Sequence, residues 1–94
     1  MDIVKLDSYE YQIKDFYDKQ KKYLRTLVYL SFDDVTDPSI YDIVHELSVY
    51  KTVHLNGRYY GLQELVIEEN VLNRSAKLIL HLIETTDFRE GVNS

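Results

Sequence analysis

Three histidines, His45, His54 and His81, are the side chains of this sequence best suited to proton transfer, because imidazole has an ordinary pKa close to neutrality. His54 and His81 fall on one predicted face of a sheet, where two imidazoles could contribute to a metal site. A third predicted strand separates them, so the rings are expected to lie too far apart to share an ion. His45 lies in a predicted helix and is expected at the surface. The sequence therefore predicts no metal site.

Acidic residues dominate the segment 26–50, which contains no Lys or Arg. They are Asp33, Asp34, Asp37, Asp42 and Glu46. The cluster lacks the sharp-turn glycine and the closing glutamate of a calcium-binding loop, so capping and solvation explain it better. As an acidic patch it would steer encounter with a basic partner surface.

The residue types do not indicate covalent catalysis. The chain has no cysteine, and its serines and few glycines form neither a nucleophile elbow nor a phosphate-binding loop. The sequence thus predicts a protein that is not an enzyme and that carries no cofactor.

Length and charge bound the remaining classes. With 94 residues and a net charge of −5, the chain is expected to form a single domain, residues 1–94, that does not bind nucleic acid in general. Its longest apolar run, Leu27 to Leu30, is far too short to span a membrane, and its start does not resemble a targeting signal. A cytoplasmic location is expected, either in the cell that produces the protein or in a host cell.

The N-terminal segment can be interpreted in two ways. Asp7-Ser8-Tyr9-Glu10 has the form of a capping box, and the apolar residues that follow recur near helical spacing, which predicts a helix over 8–25. The alternative is a pair of strands, because Tyr9, Tyr11 and Ile13 alternate with polar residues and 18–21 could form a turn. This choice stays open at the level of sequence.

A second, short helix is predicted over 38–47. Asp37 is a favourable N-cap, and Pro38 stands at the first helical position, where its missing amide hydrogen costs nothing. The apolar stripe that would face the core follows at helical spacing and consists of Ile40, Ile43, Val44 and Leu47.

Strand signals fill most of the rest of the chain. Asn56-Gly57 between alternating segments predicts a two-residue hairpin turn with positive φ at both residues, and Gly61 suggests a β-bulge. The predicted strands are 26–32, 48–55, 58–69 and 77–86, followed by a frayed tail, 87–94. The resulting fold class is α+β, with an antiparallel sheet of about four strands and two helices.

The hairpin register assigns each strand residue to one of two faces. Val49, Val53, Leu55, Tyr60, Leu62, Val66, Leu78, Leu80 and Leu82 are expected in the core. The opposite face is also apolar and is predicted to be a protein interface formed by Tyr50, His54, Tyr59, Leu65, Ile67, Ile79 and His81. Either the two helices cover one face each, or both cover the same face and leave the other for a partner, often a second copy of the chain.

Surface properties provide the few hints of function. The chain contains nine tyrosines, a residue type that suits interfaces. The predicted function is a small non-enzymatic protein-binding module, self-associating or bound to another protein, that acts by surface occlusion. In size and composition the chain resembles small phage and prophage proteins, and this resemblance implies an inhibitor or adaptor.

Two alternatives remain. The chain could be a structural subunit of a larger, virion-like assembly. It could also bind single-stranded nucleic acid through the basic residues of its predicted N-terminal helix, interleaved with tyrosines. Those basic residues are Lys14, Lys19, Lys21, Lys22 and Arg25.

Overall fold

The computed structural model describes residues 3–20 and 22–84, which form a six-stranded mixed sheet with one helix. The elements are β1 Val4–Lys5, β2 Tyr11–Asp18, β3 Tyr23–Phe32, α1 Pro38–Tyr50, β4 Thr52–Leu55, β5 Arg58–Asn70 and β6 Ser75–Glu84. The spatial order of the strands is β1-β4-β5-β6-β3-β2, and all neighbours pair antiparallel except β1 and β4. The predicted antiparallel sheet of four strands with two helices is therefore wrong.

The N-terminal helix predicted over 8–25 is replaced by the hairpin of β2 and β3. The two strands pair from Tyr11 opposite Leu30 to Asp18 opposite Tyr23. Its turn is closed by the Lys22 amide, which donates to the Asp18 carbonyl at 2.7 Å. Helical spacing was misleading here, because β3 has a strong strand composition and pairs with β6 on its other side. Strand pairing along the full length of β2 overrides the weak helical pattern.

Asp7 does not cap a helix, as the predicted capping box required. Its Oδ1 atom accepts a hydrogen bond at 2.9 Å from the backbone amide of Asn56, in the turn between β4 and β5. The first strand thereby becomes tied to that turn, since β1 also pairs with β4 in parallel. Strand β1 has no counterpart among the elements predicted from the sequence, and it is only two residues long.

Helix α1 begins where the sequence predicts. Asp37 is the N-cap and its Oδ1 atom accepts from the Ser39 amide at 2.9 Å, with Pro38 in the first turn. The helix continues to Tyr50, three residues beyond the predicted end, and Lys51 at φ 59° then terminates it. The predicted strand 48–55 is shortened accordingly to Thr52–Leu55.

Asp37→Ala is expected to lower the free energy of unfolding by about 0.5–2 kcal/mol, because the Ser39 amide loses the Asp37 carboxylate that accepts its hydrogen bond. Chemical denaturation of the two proteins measures the difference. Asp42→Ala is the matched control, since Asp42 is exposed in the middle of the same helix. Equal losses in the two variants would contradict a capping role for Asp37.

The predicted hairpin register is confirmed. Leu55 lies opposite Arg58 and His54 lies opposite Tyr59. Both turn residues have positive φ, 52° at Asn56 and 76° at Gly57, as a two-residue turn of this type requires.

A bulge in β5 lies at a different residue from the one predicted. The register shifts between Leu62 and Glu64, so Gln63 is the extra residue rather than Gly61. One extra residue reverses the direction of every side chain that follows it. Leu65 and Ile67 therefore lie opposite the buried Leu80 and Leu78, whereas Val66 moves to the other face, opposite Ile79.

The core lies between α1 and one face of the sheet. The helix contributes Ile40, Ile43 and Leu47, and β6 contributes Leu78, Leu80 and Leu82. Predicted core residues Val53, Leu55 and Tyr60 are also buried, but Val49 is 57% exposed because it belongs to the last turn of α1. Residues 85–94, which include the end of the last predicted strand and the predicted frayed tail, lie outside the described residues.

Candidate functional site: the open face of the sheet

The face of the sheet opposite α1 is the candidate site, and we call it the open face. Its side chains follow from the strand register. They include Lys14, Phe16, Arg25, Leu27, Tyr29, Thr52, His54, Tyr59, Glu64, Val66, Ile79, His81 and Ile83. The helix packs with the buried residues of the other face. Within the described part of the chain, no helix or strand is stacked on the open face, where the apolar side chains are half-buried by one another.

Two rows of side chains cross the open face perpendicular to the strands. The first, the charged row, contains Glu64 on β5, His81 on β6, Leu27 on β3 and Lys14 on β2. The second, the apolar row, contains Val66, Ile79, Tyr29 and Gln12 in the same strand order. Neighbouring strands lie about 4.8 Å apart. The register of the strands gives the charged row a carboxylate at one end, Glu64, and an ammonium group at the other, Lys14.

Arg25 is a largely buried charged side chain of this face, with 19% of the side chain exposed. Its Nη1 atom lies 3.6 Å from Asp18 Oδ2, and its Nη2 atom lies 3.5 Å from His81 Nδ1. The guanidinium also lies over the ring of Phe16, 5.8 Å from the ring centroid. The Nε atom is buried without a hydrogen-bond partner. These contacts hold the guanidinium group in place against Asp18, His81 and Phe16. They favour a structural role for Arg25 in the sheet over the capture of a small anion.

His54 is held by an aspartate and an aromatic ring. Its Nδ1 atom lies 3.1 Å from Asp7 Oδ2, and its ring centroid lies 5.0 Å from that of Tyr59. The hydrogen bond from the Asn56 amide, assisted by the one with His54, holds the pKa of Asp7 below its usual value. These contacts fasten the segment that follows β1 to the hairpin turn.

A shared metal site does not form between the two histidines of the open face. His54 lies on β4 and His81 on β6, and Tyr59 and Glu64 of the intervening β5 lie opposite them. Among residues 3–20 and 22–84, no three His, Asp or Glu side chains are grouped in a way that could hold a metal ion.

The structure brings four of the seven predicted interface residues together on the open face: His54, Tyr59, Ile79 and His81. Tyr50 instead ends α1, where it is 41% exposed. Leu65 and Ile67 lie on the helix side of the sheet because of the bulge.

The contribution of β3 to this face was not predicted from the sequence. Leu27 and Tyr29 alternate there with Val28 and Leu30, which are fully buried. That alternation was readable once 23–32 was taken as a central strand with two distinct faces.

The predicted acidic patch divides into structural and free carboxylates. Asp34 accepts hydrogen bonds from the Thr36 amide at 2.9 Å and from its hydroxyl at 2.8 Å, and these bonds lower the pKa of Asp34. Asp37 caps α1. Asp33, Asp42 and Glu46 are exposed, as Asp34 is, and these charges could steer a basic partner.

The basic residues suggested for nucleic-acid binding do not form one surface. Lys14 and Arg25 lie on the open face, while Lys19 and Lys22 are exposed at the turn between β2 and β3. Lys21 lies outside the described residues. The helix that was expected to present them together is absent from this segment, which forms two strands.

Helix α1 falls short of the length and apolar character that crossing a membrane requires, and the described part of the chain has no other helix. Comparison with protein-family models, with curated proteins and with solved structures found no match to this chain. The candidate site is therefore described by its geometry alone. It is a sheet face with an apolar centre, with Arg25 held by Asp18, and with charges of opposite sign, Glu64 and Lys14, at the two ends of the charged row.

Proposed function

We propose that this protein is a non-enzymatic protein-binding module whose contact surface is the open face. The observation that carries the proposal is the apolar row, Val66, Ile79 and Tyr29, which lies in the centre of a sheet face with no described element packed on it. Burying apolar surface of this kind contributes roughly 25 cal/mol per Å². A partner that covers the row would gain that free energy.

The residue types of the open face support a protein partner. Aromatic residues and arginine are enriched in the centres of protein interfaces, whereas lysine and glutamate are more frequent at the rim. Tyr29 and Arg25 occupy inner strands of this face, and the exposed Lys14 and Glu64 stand further out. A module with such a surface acts by occluding a site on its partner or by bridging two partners.

The contact surface can be tested with a photo-crosslinking amino acid in place of one tyrosine, in the cells that produce the protein. At position 29 the crosslinker stands on the open face; at position 41, the matched control, it stands on α1, where Tyr41 is 68% exposed. We expect covalent adducts from position 29 and none from position 41. Mass spectrometry then identifies the chain in each adduct, whether it is another protein or the same one.

The crosslink must also depend on the apolar row. Ile79→Lys introduces a charge beside position 29, since Ile79 lies directly opposite Tyr29 on the neighbouring strand, and it is expected to abolish the adducts while the melting temperature shows a folded protein. Absence of adducts from position 29, or adducts that persist in the Ile79→Lys background, would contradict the proposal.

A further inference from the structure

We infer that the occupant of the open face is a second copy of this chain, packed face to face about a two-fold axis that runs parallel to the strands. This inference rests on the proposed function, because it identifies the partner of the same surface. It is carried by the order of charges along the charged row and by the extent of the face.

The charged row is complementary to itself when it is reversed. From β5 to β2 it reads Glu64, His81, Leu27 and Lys14. An axis parallel to the strands, passing between β6 and β3, reverses the row in the second copy. Glu64 of each copy then faces Lys14 of the other, and this pair occurs twice in the dimer. Complementary charges at the margins of an interface select the partner and its orientation.

The alternative two-fold axis, perpendicular to the strands within the interface, is disfavoured by charge. It would place β5 of one copy over β5 of the other. The open-face side of β5 carries two exposed carboxylates, Glu64 and Glu68. Like charges brought together across an interface oppose association, and about this axis Glu64 of each copy would lie close to Glu68 of the other.

The apolar row also matches itself about the parallel axis. Ile79 of each copy faces Tyr29 of the other, because these two residues are adjacent on β6 and β3. The Nζ atom of Lys77 lies 5.9 Å from the centroid of the Tyr29 ring, which is the distance of a cation–π contact. Tyrosine has few rotatable bonds and therefore loses little conformational entropy on binding, which favours its use as an anchor.

The open face is large enough for a specific interface. With a strand spacing of about 4.8 Å and a rise of about 3.3 Å per residue, the area formed by β5, β6, β3 and β2 is roughly 500 Å² when measured flat. Each partner buries roughly 800 Å² in a standard interface, so the flat area of these four strands alone amounts to more than half of that value. Sheets packed in this way lie about 10 Å apart and have strands aligned to within about 30°.

Residues 85–94 are the competing occupant, because they follow β6 directly. Their sequence, TTDFREGVNS, contains only two large apolar residues, Phe88 and Val92. Two side chains cannot replace the apolar surface that a second sheet supplies. A version of the protein ending at Glu84 therefore should dimerise as the full chain does, and tighter dimerisation on removal of the segment would assign the open face to it instead.

Sedimentation velocity over a wide concentration range tests the inference with two charge-reversed variants. Glu64→Lys alone and Lys14→Glu alone are each expected to raise the dimer dissociation constant by about tenfold or more, because each places two like-charged pairs in the symmetric dimer. An equimolar mixture of the two variants is expected to restore dimers to near the parental affinity. In the mixed dimer both pairs again join opposite charges.

Glu69→Lys is the matched control, with the same change of charge on the same strand. Glu69 is exposed and lies opposite Ala76 on the helix side of the sheet, so its reversal should leave the dissociation constant within about twofold of the parental value. Circular dichroism of each variant verifies that the fold is retained. Failure of the mixture to dimerise, although both variants are folded, would overturn the proposed axis.

A parental chain that stays monomeric at every concentration would overturn the inference as a whole. The proposed function is judged separately by the crosslinks from position 29. Adducts with a different protein, combined with a monomeric chain in solution, would retain the open face as a binding surface and reject the second copy. Adducts between copies of the chain, lost in each single charge-reversed variant and regained in the mixture, are the result that the dimer predicts.

Discussion

Leu80→Ala is expected to lower the free energy of unfolding by about 2–5 kcal/mol, the range found when a fully buried leucine is truncated. Leu80 is 0% exposed and lies on β6, with β5 on one side and β3 on the other. A small domain has a total stability of roughly 5–15 kcal/mol, so the variant is expected to be partly unfolded on mild heating. Urea denaturation followed by circular dichroism measures the loss.

Ile79→Ala provides the comparison, because Ile79 is the preceding residue of the same strand and projects from the open face. Its half-buried side chain should cost less than about 1.5 kcal/mol, measured at a concentration at which the protein is monomeric. The difference between the two losses of unfolding free energy thus shows which face of the sheet is covered by other parts of the same chain. Equal losses in both variants would mean that the open face is covered within the monomer.

Gly57→Val is expected to lower the free energy of unfolding by about 1–3 kcal/mol through backbone strain. Gly57 has a φ of 76°, which a β-branched residue rarely adopts, although an added Cβ would find no atom within 4 Å. The loss therefore arises from conformation and not from a steric clash with a neighbour. Thermal and chemical denaturation should both show it.

Gly61→Val separates conformation from the general effect of replacing a glycine. Gly61 lies within β5, and an added Cβ would approach only the Ile83 carbonyl oxygen, at 4.0 Å. Valine favours strands. The free energy of unfolding of this variant is therefore expected to equal or exceed that of the parent, with any loss smaller than about 0.5 kcal/mol. A comparable loss of unfolding free energy in both variants would show that the positive φ of Gly57 is not the cause.

Much of the candidate site depends on one residue that the sequence did not single out. The alternation from Arg58 onward predicts Leu65 and Ile67 on the same face as Tyr59, and this holds only for an unbroken strand. The extra residue Gln63 exchanges them for Val66. It also places Glu64 beside His81 on the open face, so that the charged row has a negative end at Glu64 and a positive end at Lys14.

The sequence by itself determined the local features of this protein. The start of α1 at Asp37-Pro38 and the turn at Asn56-Gly57 follow from the residues concerned, because capping and positive φ are properties of a few adjacent residues. The alternation of Leu78, Leu80 and Leu82 likewise marks the buried side of β6.

Only the tertiary structure decided the state of the segment 11–25, the bulge at Gln63 and the absence of a second covering layer among the described residues. In each case, several local alternatives have similar free energies. The choice between them is made by pairing with residues that are distant along the chain, as when β3 lies between β2 and β6. Such pairing energies are distributed over many contacts, and no short stretch of sequence contains them.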